Sequence, residues 1–332
     1  MPRRLLCLIL GVLAFAWPPD PAPAQSCSLE TRCDAAKSRW KPKGKLSWTL
    51  DYGNAFADGP PDLDAHEAYV VPLPVVERAE ALRGGATELK CTAGKKLLCY
   101  TNCGAYENGH WNEAIIDPVR SELIGARMAG YPNENWLDIR RLDVMRSLIR
   151  DKFAKAARLG CDAIMCDNVE AWTTGTDGED GKALRIYRER GRKALKAFAS
   201  RTVKERTGFQ ISYEDQIAFN RMLAEEAHGQ CMAIGLYNDV FQLRELARHF
   251  DFALNEQCHH CGWCDLYKPF VKSGKPVLHL EYRDNEGFCK PGDAPIGRIC
   301  SDLKAQRLTT FSTIKREASS KLHLPDTPEM CR

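Results

Sequence analysis

The sequence predicts an α/β fold, a single-domain (β/α)8 TIM barrel with a helical insertion after its fourth strand. Apolar runs of strand length alternate with helical patterns about eight times, which favours parallel strands joined by helices. Several of these runs end in acidic or amide side chains, at the strand end where barrel sites form. The chain of 332 residues also has room for the roughly 250 that such a barrel needs.

The strands are predicted from short apolar or alternating runs that end at polar residues. In chain order these runs are residues 45–51, the first half of 68–76, 95–102, 136–139, 163–166, 231–236, 250–254, 276–280 and 309–314. A long loop is expected over residues 104–135, and loops of that length are often functional.

The helices are predicted where apolar residues recur at helical spacing. They are residues 75–82, 141–159, 182–204, 212–228, 240–249, 266–271 and 301–308. Gly160 is expected to end the second of these helices, and Ser212 can cap the fourth. The barrel domain should then cover residues 45–320, with 171–210 as its insertion and 321–332 as a C-terminal tail.

The first 24 residues have the composition of a secretory signal peptide. Two arginines precede an apolar run over residues 5–17, and a small-residue cleavage site follows at 22–24. The run is too short to anchor the chain in a bilayer. We therefore expect a secreted or periplasmic protein whose mature chain begins with a polar N-terminal arm over residues 25–44.

Export would explain the cysteine content. The chain has 15 cysteines, and Cys7 falls in the expected signal peptide, which leaves an even number for the mature chain. In an oxidising compartment these suggest up to seven disulfides, whose pairing cannot be read from spacing. Cys166, inside the central strand, is a candidate to stay buried and reduced.

Charge and hydropathy argue against two classes of partner. The net charge of +3 is too balanced to indicate nucleic acid or a membrane surface. Beyond the first residues, no segment is long and apolar enough to cross a bilayer. We expect a monomer that binds neither nucleic acid nor a membrane.

The most informative stretch is the apolar run at residues 163–166. It follows Gly160 and ends in a polar cluster, which is the pattern of a parallel strand buried on both faces. Asp167 comes directly after it. A second run at 250–254 leads in the same way into Glu256. Two carboxyl groups that face one pocket from two strand ends are what glycosidic bond cleavage requires.

Other side chains at strand ends or on long loops are candidates to bind a substrate. They are Asp51, Tyr106, Asp138, Asn168, Glu170, Asn238, Asn255, Glu281 and Tyr282. For the two asparagines beside the acids, a role in an ordinary turn is nearly as consistent with the sequence. Trp111, Trp136, Trp172 and Tyr106 could stack on sugar rings, although most tryptophans are partly buried core. A salt bridge from either acid to a barrel arginine such as Arg140 is the structural alternative to catalysis.

The segment 258–264 contains three cysteines and two histidines. This density is compatible with a zinc site. Cys261 and Cys264 also have the spacing of a redox dithiol, which would make the protein a thiol oxidoreductase. Structural disulfides are the third interpretation, and export favours them.

Together these motifs resemble glycoside hydrolase family 114. The matching segments are residues 99–102 with Gly104, 106–107, 136–140, 161–170, 215–221, 235–238, 250–251 with 255–258, and 281–282. The resemblance covers roughly residues 48–315. It implies a glycosidase that cleaves α-1,4-linked galactosamine and N-acetylgalactosamine polymers without a metal or cofactor, with Asp167 as nucleophile and Glu256 as general acid/base.

The resemblance has further implications and two departures. The family pattern implies a disulfide between Cys258 and Cys264, with Cys261 as an extra cysteine. Residues 171–210 are longer than in family members, and Glu170 stands where they often have aspartate. Extra acids around the cleft would bind the ammonium groups of a cationic polymer. A catalytically silent carbohydrate-binding barrel remains the alternative function.

Overall fold

The computed structural model describes residues 39–51, 65–83, 94–173, 181–283, 293–317 and 328–331. The expected signal peptide and most of the expected N-terminal arm lie outside these ranges. The described end of that arm contacts the main sheet, because Arg39 forms a salt bridge of 3.0 Å with Asp251 and Trp40 lies 6.2 Å from the ring of Phe252. None of the described helices is long and apolar enough to cross a bilayer.

Twelve strands form two sheets in the described part of the chain. They are β1 (Trp48–Leu50), β2 (Ala68–Pro72), β3 (Lys96–Asn102), β4 (Ala105–Glu107), β5 (Ile124–Arg127), β6 (Glu134–Leu137), β7 (Ala163–Asp167), β8 (Ala233–Tyr237), β9 (Phe252–Glu256), β10 (Val277–Tyr282), β11 (Phe311–Arg316) and β12 (Glu329–Met330). The main sheet has nine strands in the order β1, β2, β3, β7, β8, β9, β10, β11 and β12.

The main sheet is parallel from β1 to β11, and it is curled as in a TIM-barrel-like fold. Its two ends come together, because the backbone nitrogen of Leu46 donates to Ser312 Oγ over 2.7 Å and the Trp48 indole donates to the Ser312 carbonyl over 2.7 Å. Strand β12 pairs antiparallel with β11, so part of the segment expected as a C-terminal tail joins the sheet.

Helices join and cover the strands. The α-helices are Leu73–Arg83, Glu113–Ile116, Arg120–Leu123, Leu142–Arg158, Lys182–Ala199, Val203–Thr207, Tyr213–Gly229, Leu243–Leu246, Cys258–Cys261, Lys268–Lys272 and Ile296–Ala305. The helix Leu142–Arg158 ends at Gly160, whose φ of 80° suits glycine, and the capping box of Ser212 with Asp215 is present as predicted.

Among the described residues, two α-helices lie between β7 and the helix Tyr213–Gly229, where the sequence predicted one or two. Gly191 interrupts the first of them with a φ of 75°. Arg188 on that helix donates to the carbonyl of Gly262 over 2.8 Å and pairs with Asp265. The helix therefore lies against the cysteine-rich segment. That residues 171–210 are an insertion relative to the family stays a prediction.

The expectation of an irregular loop over residues 104–135 was wrong. Strands β4, β6 and β5 form a three-stranded antiparallel sheet there, and the strand predicted near Trp136 belongs to this small sheet rather than to the main one. Each of the three strands has only three or four residues. That length is too short for a two-residue periodicity to show in the sequence.

Four disulfides join described residues: Cys99–Cys161, Cys103–Cys166, Cys258–Cys264 and Cys300–Cys331. The prediction of a reduced Cys166 was wrong. Cys103 follows β3, Cys166 lies on the neighbouring β7, and their Cα atoms are 5.2 Å apart, which suits a disulfide. The pairing implied for Cys258 and Cys264 is confirmed.

Candidate active site

Asp167 is the last residue of β7, at the edge of the sheet where the parallel strands end. Tyr100 on β3 donates its hydroxyl to Asp167 Oδ2 over 2.5 Å, and the backbone nitrogen of Asn168 donates to Oδ1 over 2.7 Å. Burial raises the pKa of Asp167, and these two hydrogen bonds act against that rise because they stabilise the carboxylate.

Glu256 ends β9 at the same edge. Tyr282 donates its hydroxyl to Glu256 Oε1, and Asn238 Nδ2 donates to Oε2 over 3.2 Å. Burial raises the pKa of Glu256, and the charge of Asp167 raises it further, while the hydrogen bonds from Tyr282 and Asn238 lower it. The two predicted acids are therefore close enough to interact, and Glu256 is the one that is favoured to hold a proton.

A cavity of about 110 Å³ opens beside Glu256. Its lining combines acids, amides and aromatic rings, among them Tyr131, Glu170, Asn238, Trp263 and Tyr282. Larger cavities of about 430 and 230 Å³ lie elsewhere, against the helix Ile296–Ala305 and between Trp111 and Lys152. We place the site at the small cavity because Glu256 lines it and Asp167 lies close enough to raise the pKa of Glu256.

Two asparagines just past the strand ends have the left-handed backbone that turns the chain at this edge. Asn168 has a φ of 60° and Asn238 a φ of 48°, a conformation that asparagine tolerates better than most residues. A side chain on Gly104 would come within 1.8 Å of the Asn168 carbonyl oxygen, so only glycine fits at that position. Asn168 lies beside Asp167, as the sequence predicted, and Asn238, predicted at another strand end, binds Glu256.

Glu281 and Asn255 lie on the opposite face of their strands, which corrects the expectation that they line the pocket. Side chains alternate between faces along a strand, so Glu281 points away from Tyr282 and Asn255 away from Glu256. Glu281 accepts hydrogen bonds from His279 over 2.7 Å and from the backbone of His259 over 2.8 Å. Asn255 is fully buried.

The partners of these two residues explain their role. Burial acts to raise the pKa of Glu281, but its hydrogen bond and charge interaction with His279 hold that pKa below the usual value. Asn255 donates to the hydroxyl of Tyr267 over 2.8 Å and accepts from the backbone of Cys258 over 2.9 Å. Both side chains therefore support the turn that carries the cysteine-rich segment.

Asp138 and Tyr106 lie with the small sheet, and their polar groups have protein partners. Asp138 is buried and binds Arg140 through two hydrogen bonds of 2.7 Å, so Arg140 pairs with this residue and the alternative of a salt bridge to a predicted catalytic acid is wrong. Tyr106 donates to Glu113 over 3.0 Å and accepts from Arg120 over 3.1 Å. Neither residue is brought to the cavity by these contacts.

The three tryptophans proposed for sugar stacking are buried. The Trp111 indole donates to the Ala105 carbonyl over 3.0 Å, and the Trp172 indole donates to Asp239 over 3.2 Å. Trp136 is 4% exposed. The aromatic rings at the cavity are instead Tyr131, Trp263 and Tyr282, of which Tyr131 is 51% exposed.

The remaining predicted binding residues are placed at the strand edge. Asp51 follows β1, and its backbone nitrogen donates to Val70 on the neighbouring strand over 2.9 Å. Glu170 lines the cavity beside Asn238. A role for either of them in binding stays a prediction.

The cysteine-rich segment does not have the chemistry of the zinc site or the redox pair considered above. The sulfur atoms of Cys258 and Cys264 lie near the ring of His279, as metal ligands would. They are joined in a disulfide, however, and a zinc ligand must be a thiolate. Cys264 is thereby not paired with Cys261, which is itself disulfide-bonded.

Sequence reasoning missed Glu134 and Tyr131, which the small sheet brings to the site. Glu134 begins β6 and accepts a hydrogen bond from Asn168, beside Asp167. The Tyr131 side chain is half exposed, but partial burial of its hydroxyl raises its pKa, and the charges of Asp167, Glu256 and Glu134 raise it further. The sequence did offer one signal for Tyr131: this aromatic residue lies between a glycine and a proline, which indicates a turn that exposes its ring.

Comparisons with known proteins agree with this fold. Among solved structures, the chain is similar to Ega3 of Aspergillus fumigatus, solved in complex with galactosamine, with a TM-score of 0.61, 23% identity and coverage of 89% of this chain and 98% of that chain. It is also similar to the glycoside hydrolase domain of PelA from Pseudomonas aeruginosa, with a TM-score of 0.51, 11% identity and coverage of 86% and 98%. At these identities the likeness concerns the fold.

The sequence itself carries the assignment to a family. No curated protein matches the chain. A family model, described as glycoside-hydrolase family GH114, matches residues 29–327, which is most of the chain and includes every residue of the site described above. The chain belongs to glycoside-hydrolase family GH114.

Proposed function

We propose that this glycosidase cleaves α-1,4-linked galactosamine and N-acetylgalactosamine polymers, with Asp167 and Glu256 as its catalytic pair. One observation carries the proposal most directly. The two acids end separate parallel strands at one edge of the sheet, and the charge of one raises the pKa of the other. Membership of the family supports glycoside hydrolysis in general, and the linkage and the pair are our proposals.

The different partners of the two acids suggest their roles. Asp167 accepts hydrogen bonds from Tyr100 and from the backbone of Asn168, and both favour the carboxylate that a nucleophile requires. Glu256 is buried next to that negative charge, so its proton is retained to higher pH, as a general acid requires. This division is the one that retaining glycosidases use.

The proposed reaction has two steps and retains the configuration of the anomeric carbon. Asp167 attacks that carbon while Glu256 donates a proton to the departing glycosidic oxygen, and a covalent glycosyl-enzyme forms. Glu256, now a carboxylate, then removes a proton from water, which attacks the same carbon and releases Asp167. Retention corresponds to a separation of about 5–5.5 Å between the two carboxyl groups, and inversion to about 6.5–9.5 Å.

The surroundings of the pair support an aminosugar polymer as substrate. Glu134 and Glu170 add acidic oxygen atoms to the edge on which Asp167 and Glu256 lie, and a protonated amine would interact favourably with them. Tyr131 and Trp263 add aromatic faces that suit the apolar side of a sugar ring. The structure of Ega3 was solved with galactosamine, which is compatible with this choice.

We also propose that the protein is secreted, acts as a monomer, and forms a closed barrel with residues 171–210 at its rim. Four disulfides among described residues support export, because such bonds persist in oxidising compartments. The contacts of Leu46 and Trp48 with Ser312 support closure of the sheet.

The test is product analysis on partially deacetylated polygalactosamine with the wild type, Asp167→Asn and Glu256→Gln. The wild type should release reducing ends, and mass spectrometry of the products identifies the units at the cleavage point. Glu256→Gln should lower kcat/KM by about 10²- to 10⁴-fold, and Asp167→Asn by at least as much. Circular dichroism and thermal unfolding serve as the folding control.

Proton NMR of the first products gives the anomeric configuration and so decides between retention and inversion. Binding of the polymer without any release by the wild type would refute hydrolysis and favour a carbohydrate-binding protein instead. Full activity of either variant would refute the assignment of that residue. Cleavage only of polymers that contain neither galactosamine nor N-acetylgalactosamine would refute the proposed substrate class.

A further inference from the structure

Glu134 connects the small antiparallel sheet to the edge on which the proposed nucleophile lies. Its Oε2 atom accepts a hydrogen bond from Asn102 Nδ2 over 2.6 Å and another from Asn168 Nδ2 over 3.3 Å. Asn102 is the last residue of β3, and Asn168 directly follows β7. One carboxylate oxygen therefore joins two adjacent strand ends of the main sheet.

Asn168 links this carboxylate to Asp167. Its side-chain amide binds Glu134, while its backbone nitrogen donates to Asp167 Oδ1 over 2.7 Å. The backbone at Asn168 is left-handed, which costs energy for a residue other than glycine and needs support from its surroundings. A partner that fixes the Asn168 side chain also fixes the peptide that orients the Asp167 carboxyl group.

Asn102 is itself held rigidly. Its carbonyl accepts from the buried Lys152 over 2.8 Å, and its Oδ1 accepts from the backbone of Ala105 over 2.9 Å. Asn102 thus offers Glu134 a fixed donor. Because Asn102 holds the Glu134 carboxylate in place, the carboxylate in turn holds its other donor, Asn168, in place.

We infer that Glu134 is a positioning residue for Asp167, which holds the nucleophile in place through Asn168 and, behind it, Asn102. Within the described residues, no lysine or arginine forms a salt bridge with Glu134. A buried acid of the outer helices, Glu226, is instead paired with Arg146 and Arg150, as an acid that serves stability alone would be. The partners of Glu134 are the two amides at the site.

The electrostatics agree with this placement. Burial raises the pKa of Glu134 to about 7, helped by the charges of Glu107 and Asp167 and opposed by the hydrogen bonds from Asn102 and Asn168. Glu107 lies directly opposite Glu134 in the register of β4 and β6. The hydroxyl of Tyr131 is the other titratable group that interacts with Glu134. Glu134 is thus held where its charge is unfavourable, next to the proposed nucleophile.

The inference rests on the proposed function, and kinetics with Glu134→Gln, Glu134→Asp and the control Glu107→Gln test it. Glu107 is a neighbouring acid on the same small sheet, paired with His110 over 3.3 Å. Loss of the charge in Glu134→Gln should lower kcat about tenfold to a hundredfold with KM within about twofold, because misplacement of a catalytic group by about 1 Å has that effect. Glu134→Asp is too short to reach both amides and should also lower kcat.

Glu107→Gln should keep kcat within about twofold of the wild type. A Glu134→Gln variant with the kcat of Glu107→Gln would overturn the inference, as would a loss confined to KM, which would make Glu134 a substrate contact. Thermal unfolding of Glu134→Gln and Glu107→Gln is the folding control. If both variants lose the same stability, the difference in kcat is not a difference in folding.

Crystal structures of the wild type and Glu134→Ala give a readout that does not depend on turnover. The Asn168 side chain should leave its position and the Asp167 carboxyl group should turn with the peptide. Unchanged positions of both residues would overturn the inference even if the Glu134→Ala variant is inactive. If the wild type cleaves no polymer, the proposed function fails, and these two structures still decide the role of Glu134.

Discussion

The two faces of the last strands place similar side chains in very different surroundings. On the face that carries Glu256 and Tyr282, the acid lies at a cavity, interacts with Asp167 and has a raised pKa. On the other face, Glu281 is bound by His279 and two backbone amides under the cysteine-rich segment, and its pKa is lowered. An acid near a strand end is therefore only a candidate, and the face of the strand decides between catalysis and support.

If the two faces differ in role, substitution of Glu256 should affect catalysis and substitution of Glu281 should affect stability; equal effects of the two substitutions would contradict this difference. Glu256→Gln should lower kcat/KM by about 10²- to 10⁴-fold with little change in the free energy of unfolding. Glu281→Gln should leave kcat within a few-fold of the wild type at low temperature, but reduce the free energy of unfolding by about 2–4 kcal/mol, because a buried partner of His279 is lost. Steady-state kinetics and urea unfolding of both variants measure the difference.

The cavity on the face that carries Glu256 and Tyr282 also has a wall from the segment of the small sheet. Tyr131 is the residue that tests whether the substrate contacts this wall. Tyr131→Ala should raise KM about twofold to tenfold with kcat nearly unchanged, since one aromatic face against a sugar contributes about 0.5–1.5 kcal/mol. Tyr131→Phe keeps the ring and is the matched control. A KM for the alanine variant equal to that of the phenylalanine variant would place the substrate away from the small sheet.

The smallest expected effect concerns the pH dependence of stability. The pKa of Glu134 is raised to about 7 in the folded protein. A raised pKa stabilises the folded state below the unfolded pKa, and that contribution is lost as pH rises through the folded value. From about pH 5 to about pH 8, the free energy of unfolding of the wild type should therefore fall relative to Glu134→Gln by about 1 kcal/mol, after allowance for solvent screening.

Urea unfolding of both proteins across that pH range measures this difference. Glu107→Gln offers the control, because removal of the neighbouring charge should reduce the slope without altering the hydrogen bonds of Glu134. A wild-type curve parallel to that of Glu134→Gln would contradict a raised pKa for this residue.

The sequence predicts the parallel sheet and the two acids well, because both depend on local patterns. An apolar run followed by an acid is visible at Asp167 and at Glu256 without any knowledge of the fold. The same pattern gave Glu281 as a binding residue, and it failed there because the sequence does not state which face of a strand meets the cavity. Asn255 failed for the same reason.

The contribution of the small sheet could not be predicted in this way. Its strands have three or four residues, and its contacts with the site are made by Glu134 and Tyr131 across long sequence separations. Asn168 and Glu134 are 34 positions apart. Such pairs depend on tertiary placement, and short polar strands carry too little periodicity to reveal it.

The small sheet also has a consequence for how this protein can change. Strand β6 pairs with both β4 and β5, so the small sheet is held together by its own backbone hydrogen bonds. Its side chains nevertheless reach the site at two points, because Glu134 binds Asn102 and Asn168 while Tyr131 lines the cavity. A change in this one segment would therefore alter substrate preference and the rate of cleavage together, and only substitutions that spare Glu134 would separate the two.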